Sequence, residues 1–272
     1  MSDITLFFLS KGDLPQIDLP YPLNQRLKKN IDIKQPLLQA DLQNLRNILS
    51  IYSVDVLQLR RKQATPKLFL ADMDSTIVDG ETLDDLAEEA GTGEMVKNIT
   101  RLSMEGKLDF KQAIRERVAL LKGRPASLLE KIRSNIRLNP GAVQLVKGLR
   151  ERGCDCVLVS GGFTCFTAYV SELCGFHEHH GNAIEVAGGI ISGNVSDPVL
   201  DQNTKLYLLE TYTKERHLQK EETMAIGDGA NDLAMLKNAG VGIAYRGKTI
   251  LKHNLDNHLD YADMDSLLTI KE

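Results

Sequence analysis

Apolar and polar positions divide the chain into a short first part and a longer second part with a different pattern. The first part opens with the apolar run Ile4–Leu9, which is typical of a strand, and a proline-rich loop follows it. Leucines at positions 38, 42, 45 and 49 recur at spacings of three and four, which predicts an amphipathic helix. Residues 54–59 alternate like a strand. We therefore predict a small α+β unit over residues 1–65, with the basic run at 60–62 and Pro66 as a linker.

From residue 66 onward, short apolar runs alternate with helical patterns, which predicts a parallel sheet covered by helices on both faces. The predicted strands are 68–71, 154–160, 224–227 and 241–244, the predicted helices are 142–152, 163–174, 204–217 and 232–239, and a hairpin is predicted over 183–195. The fold class is thus α/β, with a Rossmann-like core over 66–78 and 141–272.

A long helical block over residues 79–140 interrupts this alternation directly after the first core strand. A domain inserted there lies over the carboxyl ends of the strands, where open α/β sheets bind ligands. We therefore predict a helical cap that acts as a lid.

Composition narrows the class of protein. The 272 residues are 42% hydrophobic with a net charge of −4, which fits a globular chain and disfavours a nucleic-acid binder. The longest apolar runs are strand-sized and no signal peptide is evident, so we expect no membrane association and a cytoplasmic location. The four cysteines, which lie between residues 154 and 174, are interpreted as small buried thiols. A homodimer is left open.

Candidate chemistry begins with the run Asp72-Met73-Asp74-Ser75-Thr76, at the end of an apolar strand. Two carboxylates two residues apart can reach one site if the backbone turns there, and aspartate can act as a covalent nucleophile towards phosphorus. Read alone, however, this pair is better explained by a solvated turn.

Three further elements change that interpretation. Ser160-Gly161-Gly162 follows a second strand and precedes a helix, where amides can bind an anion. Lys205 lies in the first turn of a later helix. Asp228 and Asp232 follow a third strand, and their carboxylates suit a hard cation.

In this order, the four elements resemble those of the haloacid dehalogenase superfamily, and the match covers the chain from about Pro66. Within the superfamily, the closest resemblance is to the phosphoserine phosphatases. It is carried by three runs, which cover residues 72–87, 104–110 and 115–123.

The resemblance implies a role for each candidate residue. Asp72 would be the nucleophile and Asp74 the general acid and base, and Mg²⁺ would be held by Asp72, the backbone carbonyl of Asp74 and Asp228, with Asp232 in support. Ser160, Gly161, Lys205 and Asn231 would bind phosphate, while Glu81 would meet the substrate ammonium and Arg117 its carboxylate. The implied function is Mg²⁺-dependent hydrolysis of O-phospho-L-serine through an aspartyl-phosphate, the last step of serine biosynthesis.

Two alternatives stay open at this point. One is a related phosphatase or phosphotransferase for another phospho-amino acid or phospho-amine, such as phosphohomoserine or phosphoethanolamine. The other is a catalytically silent binding module that keeps the fold, against which the intact set of Asp72, Asp74, Lys205 and Asp228 argues.

Two further patterns are interpreted as structural. Ala262-Asp263-Met264-Asp265-Ser266 repeats the sequence of residues 71–75, but no apolar strand is predicted before it, so we expect Asp263 or Asp265 to cap a C-terminal helix. The run His177-Glu178-His179-His180 could bind metal, but its position between a helix and the hairpin favours a surface loop.

Overall fold

The computed structural model describes residues 4–60, 65–104 and 107–270. The predicted linker residues 61–64, and residues 105 and 106 of the second family-like run, lie outside these ranges. Among the described residues, no helix combines the length and the apolar character that crossing a bilayer requires.

The N-terminal unit is a three-stranded antiparallel sheet with one helix. It consists of β1 (Ile4–Leu9), β2 (Asn30–Ile33), α1 (Gln39–Ser50) and β3 (Asp55–Arg60), and the strand order is β2-β1-β3. All six residues of β1 are buried. Alternate side chains of a strand face opposite sides of the sheet, so both faces of β1 are covered. Leu6 and Phe8 pack with Leu42, Leu45 and Leu49 of α1, whereas Phe7 and Leu9 join the main hydrophobic core. This two-sided burial explains the absence of alternation in β1.

The core is a six-stranded parallel sheet in the order β11-β10-β9-β4-β5-β6. Its strands are β4 (Leu68–Ala71), β5 (Asp155–Phe163), β6 (Glu178–Asn182), β9 (Thr223–Gly227), β10 (Val241–Tyr245) and β11 (His258–Leu259). The helices are α6 (Ala142–Glu151), α7 (Thr164–Cys174), α8 (Gln202–Glu215), α9 (Leu233–Asn238) and α10 (Thr249–Asn254). The predicted α/β class is thus confirmed.

After β4, the chain first adds β5 and β6 on one side of it. It then returns and adds β9, β10 and β11 on the other side. The carboxyl ends of β4 and β9 therefore form a switch point, which is where such sheets bind ligands.

Four helices follow β4 within residues 79–140, the predicted cap: α2 (Thr82–Glu89), α3 (Gly93–Met104), α4 (Phe110–Ala119) and α5 (Ser127–Asn135). The hairpin of β7 (Ile184–Ala187) and β8 (Ile190–Val195) does not join the core sheet but bonds to the cap, since the N–H of Ile191 donates to the carbonyl of Arg124 at 2.8 Å. Two ion pairs join α4 to the segment before α8. They are Arg115 with Asp197 at 2.6 Å and Lys111 with Asp201 at 3.4 Å.

The N-terminal unit is fastened to the last strand of the core sheet. The buried carboxylate of Asp55 accepts the backbone N–H groups of Asp260, Tyr261 and Ala262 at 2.8–2.9 Å. The N–H of Gln58 in β3 donates to Oδ1 of Asn257 at 2.8 Å, directly before β11.

The structure corrects three predictions. The histidine run is not a surface loop, because Glu178–Asn182 forms the edge strand β6, and Nε2 of His180 lies 2.7 Å from the Tyr212 hydroxyl. A polar edge strand lacks the apolar pattern on which the prediction depended. Asn30–Ile33 was not predicted as a strand for the same reason, since three of its four residues are not buried.

The third correction concerns the repeated motif. A two-residue strand, β11, precedes it, and the predicted C-terminal helix is the 3₁₀-helix Met264–Thr269. Asp263 stands at the N-cap position but makes no side-chain cap bond, and its carboxylate lies 3.1 Å from Nζ of Lys11. The four cysteines are free, and only Cys165 is not fully buried, which agrees with their structural interpretation.

Candidate active site

Asp72 directly follows β4 at the switch point of the sheet, where only 4% of the residue is exposed. Its backbone N–H donates to the carbonyl of Ile226 in β9 at 3.1 Å, so the neighbouring strand holds it in place. Nζ of Lys205, from α8, lies 2.5 Å from Oδ1 of Asp72 and 2.6 Å from Oδ1 of Asp232. One buried ammonium therefore sits between two buried carboxylates.

Lys205 reaches this position because Asp201 caps α8 with its side chain, which accepts the N–H groups of Asn203 and Thr204. Burial by itself lowers the pKa of Lys205, but Asp232 and Asp72 outweigh it and raise that pKa above its ordinary value. The lysine is therefore a fixed positive charge beside Asp72.

A tight turn over Met73–Ile77 follows Asp72 and carries Asp74. Ser75 has a φ of 54° in this turn, and the buried amide of Asn139 donates to the carbonyls of Thr76 and Val78 at 2.6 and 3.2 Å. Asn139 thus holds the turn from the far end of the cap insertion.

The Asp74 carboxylate accepts two hydrogen bonds. The N–H of Thr82 donates to Oδ1 at 2.8 Å, and the hydroxyl of Ser160 donates to Oδ2 at 3.0 Å. Burial raises the pKa of Asp74, and these two bonds oppose that rise. A carboxyl group with a raised pKa keeps its proton more readily, which suits a general acid.

The last residues of β5 lie beside Asp74. Oγ of Ser160 accepts the N–H of Gly162 at 2.8 Å, and the amide of Asn182 donates to the carbonyl of Gly161 at 2.7 Å. A Cβ atom at Gly161 would lie 2.9 Å from Cζ of Phe110 in the cap. Glycine at this position therefore lets the cap approach the predicted phosphate-binding segment.

Three buried carboxylates could hold a metal ion. The oxygens of Asp72, Asp228 and Asp232 lie within 4.8 Å of one another. Asp232 has both oxygens engaged, one by Lys205 and the other by the N–H of Gly229 at 3.0 Å. Oδ2 of Asp228 is paired only with Lys248, at 3.0 Å, among the residues that the structure describes. Buried carboxylate oxygens of this kind fit a hard divalent cation.

Glu81 and Arg117 come from the cap side. The hydroxyl of Ser75 donates to Oε1 of Glu81 at 2.8 Å. Burial lowers the pKa of Arg117, and the charges of Asp84, Glu81 and Asp74 oppose that effect, so its guanidinium lies within their electrostatic range. A cation and an anion of the predicted cap therefore both lie within electrostatic range of Asp74.

Asn231 lies in the 3₁₀ turn Ala230–Asp232, and a Cβ atom at Gly229 would lie 2.5 Å from its Oδ1. The predicted site residues thus gather at the carboxyl ends of β4, β5 and β9 and on the cap. Sequence reasoning missed Lys248, Asn139 and Ser75. Lys248 follows β10. Its position just beyond the carboxyl end of a parallel strand, where such sheets bind ligands, could have identified it from the sequence.

A sequence model of the haloacid dehalogenase-like hydrolase family matches residues 69–237. A phosphoserine phosphatase of Methanocaldococcus jannaschii is 42% identical over 202 residues, which cover 74% of this chain and 96% of that protein. A phosphoserine phosphatase of Archaeoglobus fulgidus is 39% identical over 204 residues, 75% of this chain, and the matched part spans 59% of that protein's length.

Solved structures give a similar result. A phospho-aspartyl intermediate analogue of a phosphoserine phosphatase is 40% identical and has a TM-score of 0.70, covering 76% of this chain and 99% of its own. A haloacid dehalogenase family hydrolase from Salmonella enterica has a TM-score of 0.85 at 24% identity over 99% of both chains, which shows that the whole fold, including the N-terminal unit, recurs.

Proposed function

The chain belongs to the haloacid dehalogenase-like hydrolase family, and on that basis we propose that it hydrolyses O-phospho-L-serine to L-serine and phosphate. The observation that carries the proposal is the buried contact between Lys205 and Asp72, at 2.5 Å, with the carboxyl group of Asp74 on the same turn. The names of relatives with 39–42% identity support the choice of substrate. In a cell, this reaction is the last step of serine biosynthesis.

Asp72 is the nucleophile in this proposal. A carboxylate oxygen of Asp72 attacks phosphorus, the bond from phosphorus to the serine oxygen breaks, and Asp74 donates its proton to the leaving oxygen. The product is free serine and a phosphoryl group on Asp72. The hydrogen bonds of Asp74 to Thr82 and Ser160 aim its carboxyl group for this transfer.

The second step regenerates the nucleophile. Asp74, now a carboxylate, takes a proton from a water molecule, whose oxygen attacks phosphorus and releases phosphate from Asp72. The same residue therefore acts first as an acid and then as a base. Ser160, the N–H of Gly161, Lys205 and Asn231 hold the phosphoryl oxygens in both steps.

Mg²⁺ is the cofactor that we propose, held by Asp72, Asp228 and the backbone carbonyl of Asp74, with Asp232 in support. A bound divalent cation supplies positive charge that offsets the repulsion between these carboxylates and a phosphate dianion. The acidic cluster of Asp72, Asp228 and Asp232 supports this assignment.

The cap supplies the contacts to the amino-acid part of the substrate. Glu81 binds the ammonium group and Arg117 binds the carboxylate, because a zwitterion needs one anion and one planar cation. Phosphoethanolamine has no carboxylate for Arg117 to bind, so comparing it with phosphoserine tests the role of Arg117 most directly.

The proposal is tested by phosphate release from phosphoserine, phosphothreonine, phosphoethanolamine and p-nitrophenyl phosphate, with Mg²⁺ or with EDTA. We expect phosphoserine to be preferred, turnover to stop in EDTA, and Asp72→Asn to be inactive. Turnover of none of these compounds would refute the hydrolase proposal and favour a silent binding module. Preference for phosphoethanolamine would refute the role of Arg117.

A further inference from the structure

Lys248 holds one side of the acidic cluster by two separate contacts. Its backbone N–H donates to the carbonyl of Asp228 at 2.8 Å, and its Nζ lies 3.0 Å from Oδ2 of the same residue. It stands directly before α10, so the start of this helix is tied to the loop that follows β9. One residue therefore fixes both the backbone and the carboxylate of Asp228.

The two lysines of the site differ in how freely they can move. The side chain of Lys205 is 3% exposed and is held by two carboxylates, so moving its ammonium would leave buried charges without a partner. The side chain of Lys248 is 59% exposed and reaches the cluster from the rim. Its ammonium can turn towards water at little cost.

The carboxylate oxygen that Lys248 occupies belongs to a residue of the proposed metal site. A cation bound to Asp228 needs lone pairs of its carboxylate, and a second positive charge 3.0 Å from Oδ2 opposes that binding. A bound cation and the Lys248 ammonium would therefore draw on the same carboxylate.

We propose that Lys248 is a positioning residue that competes with the divalent cation for Asp228, an inference that rests on the metal site of the proposed function. Without the cation, the ammonium keeps the Asp228 carboxylate aimed into the cluster and neutralises part of its charge. When the cation binds, the ammonium moves away towards solvent. The cation therefore binds more weakly and exchanges more readily. The Asp228 carboxylate is paired with either the ammonium or the cation.

The test measures metal binding without substrate, by calorimetric titration with Mg²⁺ and by electron paramagnetic resonance with Mn²⁺. We expect Lys248→Met to lower the metal Kd roughly three- to tenfold, because a competing charge is removed. Lys248→Arg should restore a Kd close to that of the unmodified protein. Lys248→Gln serves as a second neutral variant if the methionine variant does not fold.

Lys252 provides the matched control. It lies in α10, its Nζ is 3.0 Å from Oδ2 of Asp260, and its side chain is 42% exposed, but it has no contact with the cluster. Lys252→Met should leave the metal Kd unchanged. An unchanged or higher Kd in the neutral Lys248 variants, or an equal decrease in Lys252→Met, would overturn the inference. Because no turnover is measured, failure of phosphoserine hydrolysis would leave the result standing, whereas absence of metal binding to the unmodified protein would overturn the metal site and the inference together.

Discussion

The hydroxyl of Ser75 donates a 2.8 Å hydrogen bond to the carboxylate of Glu81 from a backbone with a φ of 54°. L residues rarely adopt this conformation, and holding one there costs on the order of 1–3 kcal/mol. The N–H of Ser75 donates to the carbonyl of Gly80 at 2.8 Å, which closes the turn. The turn that follows the proposed nucleophile therefore also places the proposed ammonium-binding group.

The first prediction follows from this bond. Ser75→Ala should raise the KM for phosphoserine about two- to tenfold and leave kcat nearly unchanged, because loss of one hydrogen bond frees Glu81. Ser75→Gly should raise KM equally, although it relieves the unfavourable φ. Ser134→Ala is the control, since that hydroxyl donates to the carbonyl of Lys131 in its own helix. If KM rises in Ser75→Ala but not in Ser75→Gly, the backbone conformation causes the rise and the lost hydrogen bond does not.

The second prediction tests whether Arg117 binds the carboxylate of the substrate. Arg117→Met should raise the KM for phosphoserine roughly ten- to hundredfold, because charge-assisted hydrogen bonds to the carboxylate are lost. The KM for phosphoethanolamine should hardly change. Lys131→Met, which removes an exposed cap charge paired with Glu89, should affect neither substrate. Equal losses for both substrates would contradict the role of Arg117.

The third prediction concerns the contact between the cap and the core. Gly161→Ala places a Cβ atom 2.9 Å from Cζ of Phe110, which should displace the cap and lower kcat/KM by about tenfold. Phe110→Leu in the same chain should restore part of the loss by removing the clashing ring atom. If the second substitution makes the loss larger, the defect lies in phosphate binding and not in the position of the cap.

The fourth prediction concerns the buried lysine. Lys205→Met leaves Asp72 and Asp232 without their shared ammonium, so the free energy of unfolding should fall by about 3–5 kcal/mol. Urea denaturation followed by circular dichroism measures this loss. Lys252→Met removes an exposed pair and should change stability by less than about 1 kcal/mol. Similar losses in both variants would show that the buried contact contributes little.

The fifth prediction is a pH dependence of stability. His258 is 4% exposed, and burial lowers its pKa to about 4 from the usual 6.5. Protonation therefore favours the unfolded chain, so this contribution is complete above pH 6.5 and is lost as the pH falls towards 4. The difference corresponds to about 3 kcal/mol.

Urea titrations between pH 7 and pH 4 test it. His258→Gln should lose less stability over this range than the unmodified protein, whereas His253→Gln, at an exposed position in α10, should follow the unmodified curve. Parallel curves for all three proteins would exclude His258 as the titrating group.

The parallel sheet could be predicted from the sequence because buried parallel strands are apolar on both faces. Leu68 and Leu70 pack on one side of β4 and Phe69 and Ala71 on the other, which leaves a short, unbroken apolar run. β6 and β2 could not be predicted, since edge strands exposed to water carry polar residues.

The site was partly predictable for a related reason. Asp72 and Asp228 each follow a recognisable strand and Lys205 lies in the first turn of a recognisable helix, and the order of these elements carried the resemblance to the family. Lys248 and Ser75 were missed because their roles depend on contacts that the fold creates. An exposed lysine before a short helix, or a serine within a turn, has no periodic pattern that distinguishes it from any other.

The attachment of β3 beside β11 also has a consequence for how the core avoids self-association. A parallel sheet that ends in an exposed strand offers unpaired backbone groups to a second molecule. Here the N-terminal unit covers that edge, and Asp55 engages three N–H groups directly after β11. Residues 4–60 therefore shield part of this border of the sheet, and we expect a core without them to expose the backbone N–H groups of residues 260–262.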